Sequence, residues 1–315
     1  MWRVCALGHT VCPEMVAPAI PARRSVWSTV GAHVALTKPR IIELLLVTTV
    51  PVMVVAQGGV PSVWLMIATV IGGTMSAGGA NAINMYVDRD IDAKMERTKN
   101  RPLATGAIDP TGALIFAIVL EVVAVVWLWT LVNFLSAALA LAACLFYVFV
   151  YTLWLKRIST QNIVVGGAAG AAPVLIGWAA VTNSLSVSAW VLFALIFFWT
   201  PPHFWALAIK YKDDYGSAGV PMLPTVKTLS ETTRQMLIYS VITVACSLVF
   251  GATASMGLIY WAGAVIFGAL FLAMTLKVQR TKSSEDAIRL FTYSITYITL
   301  LFALMAVDVI VRNWR

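Results

Sequence analysis

Long apolar runs, each close to or above the roughly 18 residues that mark a membrane-spanning helix, recur along this chain. They fall at 41–58, 62–86, 111–131, 134–154, 162–182, 187–209, 235–255, 257–277 and 289–311. Glycines, prolines or short polar clusters separate them, as in Gly58-Gly59-Val60-Pro61 and Thr182-Asn183-Ser184. Backbone within hydrocarbon must satisfy its own hydrogen bonds, so each run is expected to be helical. The predicted fold class is all-α, a polytopic membrane bundle of about nine transmembrane helices that occupies 29–315 as one domain. Residues 1–28 carry Pro13, Pro18, Pro21, Arg23 and Arg24 without a compact apolar stretch. They read as a flexible cytoplasmic tail, not as a signal peptide.

Charge gives the bundle a direction. The formal charge of +8 would suggest nucleic acid in a soluble protein, but only 11% of the residues are charged and 60% are hydrophobic. Soluble domains carry about 25% charged residues. Here the bases sit where loops orient a membrane protein, so the lipid bilayer, and no nucleic acid, is the expected partner. Of the 22 Lys and Arg residues, all but Arg312 and Arg315 fall in the amino-terminal segment and in the loops that follow the second, fourth, sixth and eighth runs. The positive-inside rule places the amino terminus and those loops in the cytoplasm, and the carboxyl terminus outside. Those inner loops also hold most of the acids, so chemistry is expected at the cytoplasmic face of a cell membrane. The four cysteines, Cys5, Cys12, Cys144 and Cys246, form no zinc-like or disulfide pattern.

Two polar clusters interrupt the apolar pattern. At the end of the second run, Asn84, Asp88 and Asp92 are spaced i, i+4, i+8, a row that drifts by only about 40° per step and so shares one helix face. Asp90 points roughly 200° away from Asp88. A carboxylate row at a membrane surface suits magnesium, which takes oxygen ligands and shares them with substrate phosphates. Arg97, Lys99 and Arg101 follow closely and match phosphate oxygens. A charged helix end neutralised in water would use the same residues.

The second cluster ends the sixth run. His203, Lys210 and Asp214 fall on one helical stripe, after a Pro201-Pro202 pair expected to kink or break the helix. His203 reads equally as a cavity group and as a histidine held inside the bundle. The run from Gly216 to Pro224 is expected to be a loop capping the membrane face. Lys156 and Arg157, then Asn162, add a third polar set on the same side, which an anchoring role would also explain.

These residues resemble the UbiA superfamily of intramembrane prenyltransferases, whose first aspartate motif the Asn84, Asp88, Asp92 row is similar to. Further strings resemble its heme-farnesylating branch. They are Leu36-Thr37-Lys38-Pro39-Arg40, Met95 with Arg97-Thr98 and Arg101-Pro102, and Tyr151-Thr152 with Leu155-Lys156-Arg157. The most specific runs from Thr200-Pro201-Pro202-His203-Phe204-Trp205 through Asp214-Tyr215 to Pro224. The likeness covers about residues 30–311. One feature departs from the wider superfamily, where a second aspartate pair is often spaced by three residues: here Asp213 and Asp214 are adjacent and position 218 is alanine.

The resemblance implies transfer of a farnesyl group from farnesyl diphosphate to a vinyl group of heme B, with addition of water to give heme O. It implies Asn84, Asp88 and Asp92 as catalytic residues, Mg2+ as cofactor held by Asp88, Asp92 and Asp214, and Lys38, Arg97, Arg101, Lys156 and Lys210 as diphosphate-binding cations. It further implies His203 as a heme contact, through iron or a propionate, and a heme A synthase as a candidate partner. Two rivals stand beside it. Another enzyme of this type would act on an aromatic or quinone precursor. A transporter would need polar residues through the whole bilayer, whereas the outer halves of these runs are almost bare.

Overall fold

The computed structural model describes residues 26–313, without the side chains of Val26, Ser28 and 40–46. The expected tail lies almost wholly outside the described residues, as do Arg3, Arg23, Arg24 and Arg315. Helix α1 spans Val26–Leu36, α2 Pro39–Gln57, α3 Val63–Val87 and α4 Arg89–Asp92. An ordered loop of turns leads to α5, Pro110–Leu131. Next come α6, Phe134–Ile158, α7, Asn162–Thr182, and α8, Val187–Lys210. Two short helices follow, α9 at Lys212–Ser217 and α10 at Leu223–Val226. The chain ends with α11, Leu229–Thr253, α12, Leu258–Thr281, and α13, Ser284–Asn313.

Eight of these helices are long and apolar enough to cross a membrane. The first expected span lies in α2, whose described apolar part is the shorter Val47–Gln57. The chain is therefore a multi-pass membrane protein of the expected class. Local sequence sets the helix ends. Asp109 accepts from Gly112 N (2.9 Å), Asn133 from Ser136 N (2.8 Å) and Thr228 from Glu231 N (3.2 Å), so α5, α6 and α11 begin on side-chain caps. Gly58 ends α2 with φ +66°, a left-handed turn that glycine adopts without penalty.

The long helices pack in a closed order: α2, α3, α5, α6, α7, α8, α11, α12, α13 and back to α2. Contacts of α2 with α7, and of α8 with α13, cross the middle. Small residues let these backbones approach, as membrane helices require. A Cβ on Gly72 would come within 2.5 Å of Leu128 on α5, and one on Gly177 within 3.0 Å of the Thr49 carbonyl on α2. A large core of side chains including Trp199, Trp205, Phe271, Tyr297 and Phe302 fills the α8, α11, α12, α13 side. The opposite side, between α2, α3, α6, α7 and α8, is hollow.

Two local expectations are sharpened. Of the kink or break expected at Pro201-Pro202 there is no break, since α8 runs through the pair to Lys210. Carbonyls freed by proline are tolerated where neighbouring helices bury them, and Pro201 and Pro202 are both buried. The segment from Gly216 to Pro224 is a cap, as expected, but it contains helical turns on either side of Gly219, whose φ of +70° makes the corner.

Candidate functional site

Asp88 stands at the junction of α3 and α4, and the turn continues through it, with Asp92 N donating to Asp88 O at 2.8 Å. The i, i+4, i+8 row therefore survives the helix boundary. Asn84, Asp88 and Asp92 are all buried, Asp88 completely. A buried carboxylate needs partners, and basic residues from distant segments supply them. Lys156 at the end of α6 donates to Asp88 Oδ2. Arg101 NH1 lies 2.7 Å from both oxygens of Asp92. Lys38 Nζ donates to Asn84 Oδ1 at 2.8 Å, and Asn84 Nδ2 in turn donates to Asp88 Oδ2 at 2.7 Å and to Thr152 Oγ1 at 3.1 Å.

Helix α6 reaches this network through a stretch of wide π turns, Phe146–Leu155. Such turns are rare and tend to mark functional sites. Thr152 Oγ1 donates to the carbonyl of Tyr147, five residues back, at 2.8 Å. The widened turn brings Tyr147, Tyr151 and Lys156 to the cavity, where the two tyrosine rings stack with centroids 5.2 Å apart.

The cavity measures about 370 Å³, within the range of small-molecule sites. Its polar end is lined by Lys38, Asn81, Asn84, Asp92, Arg97, Arg101 and Lys156. Deeper, the walls are small or apolar: Gly73, Ala77, Ala80, Ala143, Gly166, Gly170, Pro173 and Ile196, with Trp199 and Phe204 from α8. Tyr215, Val220 and Met222 close over the polar end from the α9–α10 cap. Burial among other cations holds the Lys38 ammonium down at about 7 from 10.5, with Arg101 and Lys156 adding repulsion to the desolvation.

Not every expected residue joins this site. Asp214 is held outside it: its carboxylate accepts from the backbone N–H groups of Glu96 (2.8 Å) and Arg97 (3.5 Å), which pins the loop after α4 to α9. Lys210 is exposed, over the Tyr211 ring, and does not line the cavity. His203 lies one layer behind the wall. Its ring stacks between Trp199 (4.3 Å) and Phe291 (4.5 Å), and Nδ1 meets Ser294 Oγ at 2.7 Å. Asp90 faces outward as its angle predicted, and Arg157 grips it at 2.8 and 2.9 Å. That hydrogen-bonded pairing outweighs desolvation and lowers the carboxyl to about 2.

The donor chemistry of Asp88 and Asp92 fits a magnesium ion. Asp88 Oδ1 is buried without a hydrogen-bond partner. Among the described residues no three metal-ligating side chains cluster. Two carboxylates with substrate phosphates completing the shell is the way magnesium is commonly held. The sequence assigned no site role to Tyr147, to Tyr151 and Thr152 (though these two belong to one of the resembling strings), to Ser76 or to the lone acid Glu121. Glu121 carried a readable signal, an ionisable residue in the middle of an apolar run. Tyr147, Tyr151 and Thr152 depend on π turns, which leave no periodic trace, and Ser76 is one of several small residues along α3.

Residues 45–303 match the UbiA prenyltransferase family. The chain is 55% identical over 278 residues to the protoheme IX farnesyltransferase of Parafrankia sp. (strain EAN1pec), covering 87% of this chain and 89% of the other. It is 52% identical over 280 residues to that of Clavibacter sepedonicus (88% and 92%) and 50% identical over 297 residues to that of Salinispora tropica (93% and 93%). Among solved structures, digeranylgeranylglyceryl phosphate synthase superposes with a TM-score of 0.75 at 16% identity, covering 90% of this chain and 99% of that one. A UbiA homolog from Archaeoglobus fulgidus bound to DMAPP and Mg2+ superposes with a TM-score of 0.62 at 17% identity (88% and 99%).

Proposed function

The chain belongs to the UbiA prenyltransferase family, and from that membership we propose that it transfers the farnesyl group of farnesyl diphosphate to a vinyl group of heme B, yielding heme O and diphosphate. The observation that carries this reading is a cationic mouth above an apolar cavity: Lys38, Arg97, Arg101 and Lys156 ring its polar end. A diphosphate fits the mouth and a prenyl chain the cavity. The high identity to protoheme IX farnesyltransferases over most of the chain supports heme as the acceptor.

Lys38, Arg101 and Lys156 bind the diphosphate oxygens and neutralise the charge that grows on them as the carbon–oxygen bond breaks. Arg97, whose NH2 lies 3.3 Å from Tyr215 Oη, closes the mouth with the cap above it. Asp88 and Asp92 would hold magnesium, which when bound supplies further neutralisation of the leaving group. Tyr147, Tyr151 and Trp199 give the allylic cation electron-rich ring faces and keep bulk water away. His203 acts through Trp199: by stacking on that ring from behind, it sets the wall against which the macrocycle lies. The charge bias of the loops supports a cytoplasmic position for the mouth.

The test is incubation of the purified protein with heme B, farnesyl diphosphate and magnesium, followed by mass analysis of the heme. A farnesylated, hydrated heme is expected. Unmodified heme, alongside prenylation of an aromatic acid or quinone precursor, would move the chain to another branch of its family.

A further inference from the structure

Helix α5 packs on α3 through a buried stripe of Ala113, Ala117, Glu121, Ala124 and Leu128. Small residues suit such a contact, yet one of the five is an acid, which costs free energy within a bilayer that alanine would not. Glu121 is 7% exposed. Its Oε1 accepts from Ser76 Oγ at 3.0 Å. Its Oε2 has no hydrogen-bond partner and lies against Gly79, where a Cβ would stand 3.2 Å away. The Cys144 thiol faces the same carboxyl. Ser76 and Cys144 line the cavity, and Glu121 stands behind them. At 1.5 Å of rise per residue, Gly79 and Ser76 lie about 8 and 12 Å below Asn84. Gly79 is at the depth of the first isoprene unit of a prenyl chain whose diphosphate sits in the mouth, and Ser76 about one unit further in, within reach of the reacting carbons through one water.

We propose that Ser76 and Glu121 form a relay that takes up the proton of the water completing the transfer. The inference rests on the heme-farnesylating reading. In that reaction the carbon–oxygen bond of farnesyl diphosphate breaks and diphosphate leaves with the electron pair. The vinyl π pair bonds to the farnesyl carbon and leaves a cation on the carbon next to the pyrrole. A water hydrogen-bonded to Ser76 Oγ gives a lone pair to that carbon. Its proton passes to Ser76 Oγ while Ser76 passes its own to the Glu121 carboxylate, which ends neutral. The carboxylate also offsets the positive charge of the carbon it serves. Without the acceptor, the cation sheds a neighbouring proton and gives an adduct one water lighter.

The full-length protein, Glu121→Gln and Ser76→Ala are each incubated with heme B, farnesyl diphosphate and magnesium. Both adducts are then quantified by mass, in variants that still bind a non-hydrolysable farnesyl diphosphate analogue. The ratio of hydrated to unhydrated adduct is expected to fall by at least about tenfold in both variants, the low end for a lost general base. The ratio is independent of how much total turnover falls, so a packing defect alone does not move it. A wild-type ratio in either variant overturns the relay. So does loss of both adducts in both variants, because the relay acts after bond cleavage. If the wild-type protein forms no heme adduct at all, the farnesylation reading itself fails, which is a separate outcome.

Discussion

Asp88 and Asp92 are both paired with cations brought from elsewhere in the chain, Asp88 with Lys156 and, at 3.9 Å, Arg157, and Asp92 with Arg101. Asp88→Asn or Asp92→Asn removes a proposed metal ligand and frees its partner cations. We expect each to lower turnover by at least about 10²-fold, the scale of losing one pre-organised electrostatic group, while membrane insertion is unchanged; full activity in either would end their assignment. Lys38 gives a pH dependence of opposite sign for stability and for binding. Its amine, held near 7 against 10.5, carries fewer protons in the folded protein than in the unfolded chain between those values. Stability of the free protein therefore rises with pH across that window. A bound diphosphate favours the charged amine, so affinity for a farnesyl diphosphate analogue should strengthen as pH falls from 9 towards 7, by up to about tenfold per pH unit. Lys38→Met should flatten that slope in a titration. For His203→Ala, heme affinity should drop while analogue affinity stays near wild type, because Trp199 loses its backing and the mouth does not. Equal loss of both in a binding titration would make His203 a general packing residue.

At the scale of the helix, much was readable. The Asn84, Asp88, Asp92 row was visible from its spacing because each residue faces the same way in any regular helix. The apolar runs located the spans for the same reason. Asp214 and Lys210 could not be placed so simply, since their stripe continues α8 past Lys210, where the helix in fact ends and the chain turns. The π turns of α6 were hidden because a run such as Phe146-Tyr147-Val148-Phe149 is apolar under any period. They are held partly by a close approach: a Cβ on Gly166 of α7 would lie 2.4 Å from Tyr151 Cδ2. Gly166→Ala should push that ring into the cavity, cost about 1–3 kcal/mol as overpacking does, and weaken substrate binding. A melting curve in detergent at the wild-type temperature would argue that the ring has room to retreat.

For the whole molecule, the polar mouth, the capping loops and the ends of α3, α6 and α8 gather at one end of the bundle, while connections at the opposite end, such as Gly58 to Ser62, are short. In a background lacking Cys5 and Cys12, a cysteine at exposed Lys99 should react with an impermeant reagent only after cells are opened, and one at exposed Val60 in intact cells. The reverse pattern would invert the orientation.

In the resting mouth the carboxylates of Asp88 and Asp92 are already paired, with Lys156 and Arg101. On the proposed reading, substrate entry is an ion exchange. Diphosphate draws Lys156 and Arg101 away from the carboxylates, and the carboxylates so released are what magnesium needs. Neither guest does well alone: each leaves behind charges that only the other can satisfy. Binding of the two should be cooperative and, by linkage, equally so in both directions, with a coupling of about 1–3 kcal/mol. Calorimetric titration of the diphosphate analogue with and without magnesium, and of magnesium with and without analogue, should give the same factor. Independent affinities would mean that the internal ion pairs stay closed when the substrate arrives.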